Sequence, residues 1–166
     1  MPPPIRDAGQ FGIAYRPMVE TQDLPFVAEL YASTRREEVA QTGWPAEMQE
    51  AFLRQQHEAQ HSHYSLHFAE AEWLIVERDG EAIGRLYLRD DPHALHIIDI
   101  SLLPDSRGKG IGGAIMQDIV ALARDRGKAV SIHVEKYNPA LKLYRRLGFE
   151  TIEDRGVYDL MRAGPW

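Results

Sequence analysis

Gly108, Gly110, Gly112 and Gly113 follow Arg107 and enclose Lys109, directly after an alternating stretch in which Ile98, Ile100 and Leu102 interleave with Asp99, Ser101 and Leu103. Residues of these types in this order can hold an anion. Glycines let backbone N–H groups approach a phosphate without interference from a Cβ, and a helix that starts at Ile111 would add the positive end of its dipole. Arg107 and Lys109 bring cations to the same spot. The same glycines would also serve a plain tight connection, so the loop alone leaves both readings open.

A second set of reactive side chains lies on flanking strands. Asp99 shares a strand face with Ser101, and His133 shares one with Glu135, while His96 sits a few residues upstream. These are the candidate proton acceptors. The histidines at 57, 61, 63 and 67 suggest a metal, but no carboxylate or cysteine joins them at a ligand spacing, and they fall in a polar segment where a helix is expected to end. No metal is assigned.

Composition narrows the chemistry further. The 166 residues suit one domain with a real core, and a net charge of -6 argues against nucleic acid as the main partner. With no cysteine, thiolate metal sites and a cysteine nucleophile are excluded. No apolar run reaches a membrane span and the N-terminus lacks a signal-peptide core, which gives a cytoplasmic expectation with no membrane partner.

The elements that must position these groups read as follows. Residues 1–12, with three consecutive prolines, are expected to be a flexible lead-in, and 13–166 a single domain. Ile13 to Pro17 reads as a strand. Asp23 reads as an N-cap with Pro25 just inside a helix bearing Phe26, Val27, Leu30 and Tyr31, and a second helix runs from near Pro45 towards Gln56. Trp73–Glu77 and Ala82–Leu88 form a hairpin through Asp79-Gly80, and the third strand of this meander runs to Leu103. A helix with apolar residues at 111, 115, 119 and 122 stops before Gly127, and a strand over Val130–Val134 then implies a parallel pair. Asn138-Pro139 opens a short helix ending at Gly148, and a final hairpin closes the chain. The fold class is α/β (α+β), a mixed sheet of about six to seven strands with helices on both faces.

Gly108-x-Gly110-x-x-Gly113 formally matches a dinucleotide fingerprint, with Glu135 at the end of the next strand, but an antiparallel meander precedes the loop and too little chain follows it for that domain. A different resemblance covers most of the chain. Arg107-x-x-Gly110-x-Gly112, preceded by Leu102-Leu103-Pro104, resembles the pyrophosphate loop of the GCN5-related N-acetyltransferase (GNAT) superfamily. Val134-x-x-x-Asn138-x-Ala140-x-x-x-Tyr144-x-x-x-Gly148-Phe149 resembles its second block. The likeness is weakest over residues 35–70, where members of the family differ in substrate.

This resemblance implies a splay between the fourth and fifth strands and acetyl-CoA as co-substrate. Arg107, Gly108, Lys109, Gly110, Ile111, Gly112 and Gly113 would hold the pyrophosphate, Ser101 to Leu103 would pair with the pantetheine, and the Leu102 amide would polarise the thioester carbonyl. Tyr144 would be the acid for the leaving thiolate, its alternative being a packed aromatic. Asn138 would orient the pantetheine or simply cap its helix. Asp99 is preferred as base, ahead of Glu135 and His133, with bound water as the other possibility. The implied activity is direct acetyl transfer to a primary amine of a small molecule or peptide, with a homodimer left open. A non-catalytic acyl-CoA-binding regulatory module is the alternative.

Overall fold

A computed structural model describes residue 3 and residues 8–166 of the chain. It contains seven strands, β1 (Ile13–Pro17), β2 (Glu72–Arg78), β3 (Glu81–Asp90), β4 (Ala94–Leu102), β5 (Ala129–Glu135), β6 (Glu150–Arg155) and β7 (Tyr158–Ala163). Four α-helices accompany them: α1 (Glu20–Ala40), α2 (Ala46–His67), α3 (Ile111–Asp125) and α4 (Leu141–Arg146). The strands form one sheet in the order β1-β2-β3-β4-β5-β7-β6. Only β4 and β5 pair in parallel among the described residues, as the strand-helix-strand reading requires.

The parallel pairing is short. It joins Ala94 through Ile97 to Ala129 through Ile132 and then stops, although β4 continues to Leu102 and β5 to Glu135. Beyond Ile97 the two strands therefore leave a gap open at their C-terminal ends.

Most of the core lies on the α3 face of the sheet, where Ile111, Ile115 and Ile119 pack against Leu86, Ile97, Val130 and Met161, all 1% exposed or less. A smaller cluster, Ala32, Val39 and Leu53, joins α1 to α2. At β3, Gly84 permits an unusually close approach of β4, since a Cβ there would lie 2.3 Å from the Ser101 carbonyl oxygen and 2.8 Å from Leu102 Cδ2.

Three local expectations are corrected. Asp23 is not an N-cap but lies inside α1, which begins after Val19; its carboxylate accepts the Val19 amide at 2.7 Å and both Arg16 terminal nitrogens at 2.8 Å, tying the helix start to β1. The second helix does not stop near Gln56, since α2 runs on through all four histidines and ends at His67. No proline or glycine interrupts it, and its polar inward face hid its length. Of the expected lead-in, residues 1, 2 and 4–7 lie outside the described residues. Ala8–Phe11 is not free but forms a 3-10 turn with Ala8 fully buried.

Candidate active site

The open end of β4 is the centre of the site. Leu103 donates its amide to Ile83 of β3 at 2.8 Å, so strand alternation turns the N–H of Leu102 the other way, into the gap facing β5. The Leu102 carbonyl on that same side accepts from Arg107 Nε at 2.9 Å. Arg107 thereby fastens the loop to the strand end instead of hanging free.

From there the chain makes a short 3-10 turn, Pro104–Ser106, and enters the glycine loop. Gly108 and Gly110 have φ of 72° and 82°, a region that side-chain-bearing residues rarely adopt, and Gly110 forms the N-cap of α3. No side chain caps this helix and no acid sits in its first turn, which leaves the first amides facing the loop without an intrahelical partner. Lys109 is exposed beside them, whereas the Ile111 side chain is fully buried, so only its backbone can serve an anion. A Cβ on Gly113 would meet Leu143 of α4 at 3.5 Å, placing α4 alongside the cradle.

Tyr144 follows Leu143 on α4. It is buried against Phe149, with ring centroids 5.9 Å apart, and burial raises its pKa, with the nearby Asp99 carboxylate adding to the rise. A phenol held up in this way stays protonated at neutral pH and can donate. Asn138 caps the turn before α4, its Oδ1 accepting the Ala140 amide at 2.8 Å.

Asp99 sits in a polar network at the mouth of the gap. Its Oδ2 accepts from Arg85 Nη2 at 2.7 Å and from the Tyr64 hydroxyl at 3.3 Å, and its Oδ1 accepts from Ser101 Oγ at 2.7 Å. Arg85 also donates to Gln60 Oε1 at 2.8 Å. Burial lowers the Arg85 pKa, but Asp99 and the two tyrosines outweigh it, and the guanidinium stays charged. Burial, with Asp99 second, raises Tyr64.

The other proton-acceptor candidates are separated from this network. His96 lies on the paired part of β4, bonded to Ser131 Oγ at 2.8 Å, and burial, then His133, lowers it to about 4. His133 accepts from Arg155 Nη1 at 3.2 Å and is lowered by burial, then by Arg155. Glu135 is exposed at the end of β5 and close enough to Arg35 of α1 to act on its charge. Among the described residues no group of three or more His, Asp or Glu side chains is placed to hold a metal ion.

Arg85, Gln60 and Tyr64 were missed from the sequence. A usable signal existed for Arg85, a lone charge within the otherwise apolar run Ile83 to Leu88, because a cation buried in a strand needs a counter-charge. Gln60 and Tyr64 gave none, since nothing local marks a polar helix face as turned inward.

A mixed α/β sheet that opens beside a glycine-rich helix start is the architecture of the acetyltransferase fold. The chain matches the acetyltransferase (GNAT) family over residues 27–149 and belongs to that family. It is 27% identical over 99 residues to the N-alpha-acetyltransferase of Sulfurisphaera tokodaii, covering 51% of this chain and 59% of that protein. It is 44% identical over 57 residues to the streptothricin acetyltransferase of Streptomyces lavendulae, covering 33% of this chain and 30% of that one. The matches thus span 22% to 59% of the length of the curated relatives. Among solved structures, the PaiA N-acetyltransferase of Thermoplasma acidophilum in complex with coenzyme A shares the fold with a TM-score of 0.66 at 17% identity, over 91% of this chain and 98% of that one.

Proposed function

We propose that the chain is an acetyl-CoA-dependent N-acetyltransferase that moves the acetyl group directly to a primary amine. The observation that carries this reading is the gap between β4 and β5, with the Leu102 amide facing it and the uncapped start of α3 at its foot. The groups present fit the co-substrate. Gly108 and Gly110 leave space where a Cβ would stand near a phosphate, the amides from Gly108 to Gly113 with Lys109 supply the anion cradle, and the β5-facing side of β4 at Leu102, unpaired beyond Ile97, suits an amide-bearing arm. Ser101 and Leu103 turn their backbone groups to β3, where the Leu103 amide is bound to Ile83, so they flank this edge without offering it an amide.

In the reaction, the Leu102 N–H donates to the thioester oxygen as negative charge develops there. Asp99 receives the amine and takes its proton, directly or through a water, and the amine nitrogen forms the new C–N bond. Tyr144 donates its proton to the sulfur as the C–S bond breaks. Asn138 fixes the turn that carries Tyr144.

The test has two parts. Acetyl-CoA should raise the melting temperature, by roughly 2.7 kcal/mol of stabilisation at 100 times its dissociation constant, and NAD should not. A panel of polyamine, amino-acid, aminoglycoside and peptide amines should then show release of free CoA with at least one acceptor. Tight acetyl-CoA binding without release by any amine would replace the enzyme by a non-catalytic acyl-CoA-binding module.

A further inference from the structure

Arg85 is only 3% exposed, and its Nε is buried without a hydrogen-bond partner. Its guanidinium carbon stands 4.9 Å from the Tyr87 ring centre and 6.0 Å from that of Tyr64. As a stabilising device this is poor, because desolvating an ion pair offsets much of its attraction and an apolar side chain of similar size would often serve better. Its geometry has another use. An ionised carboxylate offers about four lone-pair directions. Arg85, Tyr64 and Ser101 take three of those on Asp99. One acceptor direction is left, and the three donors, coming from α2, β3 and β4, decide where it points.

The harness also holds a wall of the site. α2 buries only Leu53 and His57 fully, so the bonds from Gln60 to Arg85 and from Tyr64 to Asp99 are principal ties between this helix and the strands at the gap. The same guanidinium thus aligns the carboxylate on β4 and seats the helix opposite it. We propose that Arg85 is a positioning residue for acetyl transfer, acting through Asp99 to aim its remaining lone pair at the acceptor amine or the amine's water. This rests on the acetyltransferase reading above.

A double-mutant cycle tests it, using the amine that gives the best CoA release with the wild-type chain. Arg85→Met should lower kcat for the amine about tenfold or more, the scale of a lost alignment, and leave the acetyl-CoA dissociation constant within about threefold. Arg85→Lys, which keeps the charge but not the planar guanidinium over Tyr87, should recover part of the loss. The decisive comparison is Asp99→Asn with and without Arg85→Met. If Arg85 acts through Asp99, the double variant is no slower than Asp99→Asn alone; if the two losses multiply, the proposal is overturned. Should Arg85→Met not fold, the same cycle is run with Arg85→Lys and read in the same way. A wild-type chain that releases no CoA with any amine overturns the acetyltransferase reading and this one with it, whereas turnover with multiplying losses overturns this one alone.

Discussion

Gly84→Ala tests the link between the sheet and the active site. The added methyl would stand 2.3 Å from the Ser101 carbonyl oxygen, 2.8 Å from Leu102 Cδ2 and 3.3 Å from Leu102 Cα. Two of these are backbone atoms, and rotating a side chain relieves neither. β3 and β4 must therefore separate by several tenths of an ångström at the pair Gly84 and Leu102. Overpacking of this kind costs roughly 1–3 kcal/mol, which for a chain of this size lowers the melting temperature by about 2–12 °C. The displaced segment is also the one whose Leu102 amide faces the gap, so turnover should fall by more than stability at the assay temperature would account for. Gly112→Ala is the control for sterics, because its methyl would meet nothing nearer than Leu102 Cδ1 at 4.0 Å and it stands within a helix. Differential scanning of both variants, with a CoA-release assay of Gly84→Ala against wild type well below the transition, decides the matter; Gly112 lies in the anion cradle and serves as a control for melting alone. A Gly84→Ala melting temperature equal to wild type would refute the close approach, and normal turnover in a destabilised variant would refute its coupling to the site.

Gly110→Glu places a charge in the anion cradle at a φ of 82°, and should abolish the thermal shift by acetyl-CoA while leaving the far-UV spectrum intact; a normal shift would mean that the loop has been misread. Tyr144→Phe keeps the ring against Phe149 and removes the hydroxyl, so kcat should drop by about 100-fold with little change in acetyl-CoA affinity, and a loss below about threefold would return Tyr144 to a packing role. His57 is held down to about 4 by burial, then by Arg85 and His61. Its folded pKa lies below the ordinary value of about 6.5, so stability is intact above 6.5 and is lost as the pH falls from there towards 4, where the unfolded chain takes up the proton first; the loss is on the order of 2 kcal/mol. Melting curves of His57→Gln should show a shallower acid limb, and an unchanged limb would remove His57 from this account.

The residues of the glycine loop, the run from Asn138 to Phe149 and the alternating strands were legible from sequence because each is specified locally. A glycine is needed where φ is positive or backbone approaches a ligand, an alternating strand shows its two faces in period two, and a helix start follows its loop within a few residues. These determined the family resemblance, the parallel unit and the position of the Leu102 amide along the chain. Local rules failed where polar side chains face inward. The inward face of α2 meets partners far along the chain, Arg85 for Gln60 and Asp99 for Tyr64, whereas Asp23 within α1 turns back to the nearby Arg16 of β1 and the Val19 amide. Which acid would meet the amine was likewise a tertiary matter. On sequence alone Asp99 stood ahead of Glu135 and His133 as the base, the three lying on two strands with bound water as the other possibility. The fold separated them, because Ile97 ends the β4–β5 pairing just before Asp99 and because β3 and α2 bring Arg85 and Tyr64 to that carboxylate. Long-range pairing of a charge leaves no periodic trace, since it depends on which strands become neighbours, and that is decided only when the sheet forms.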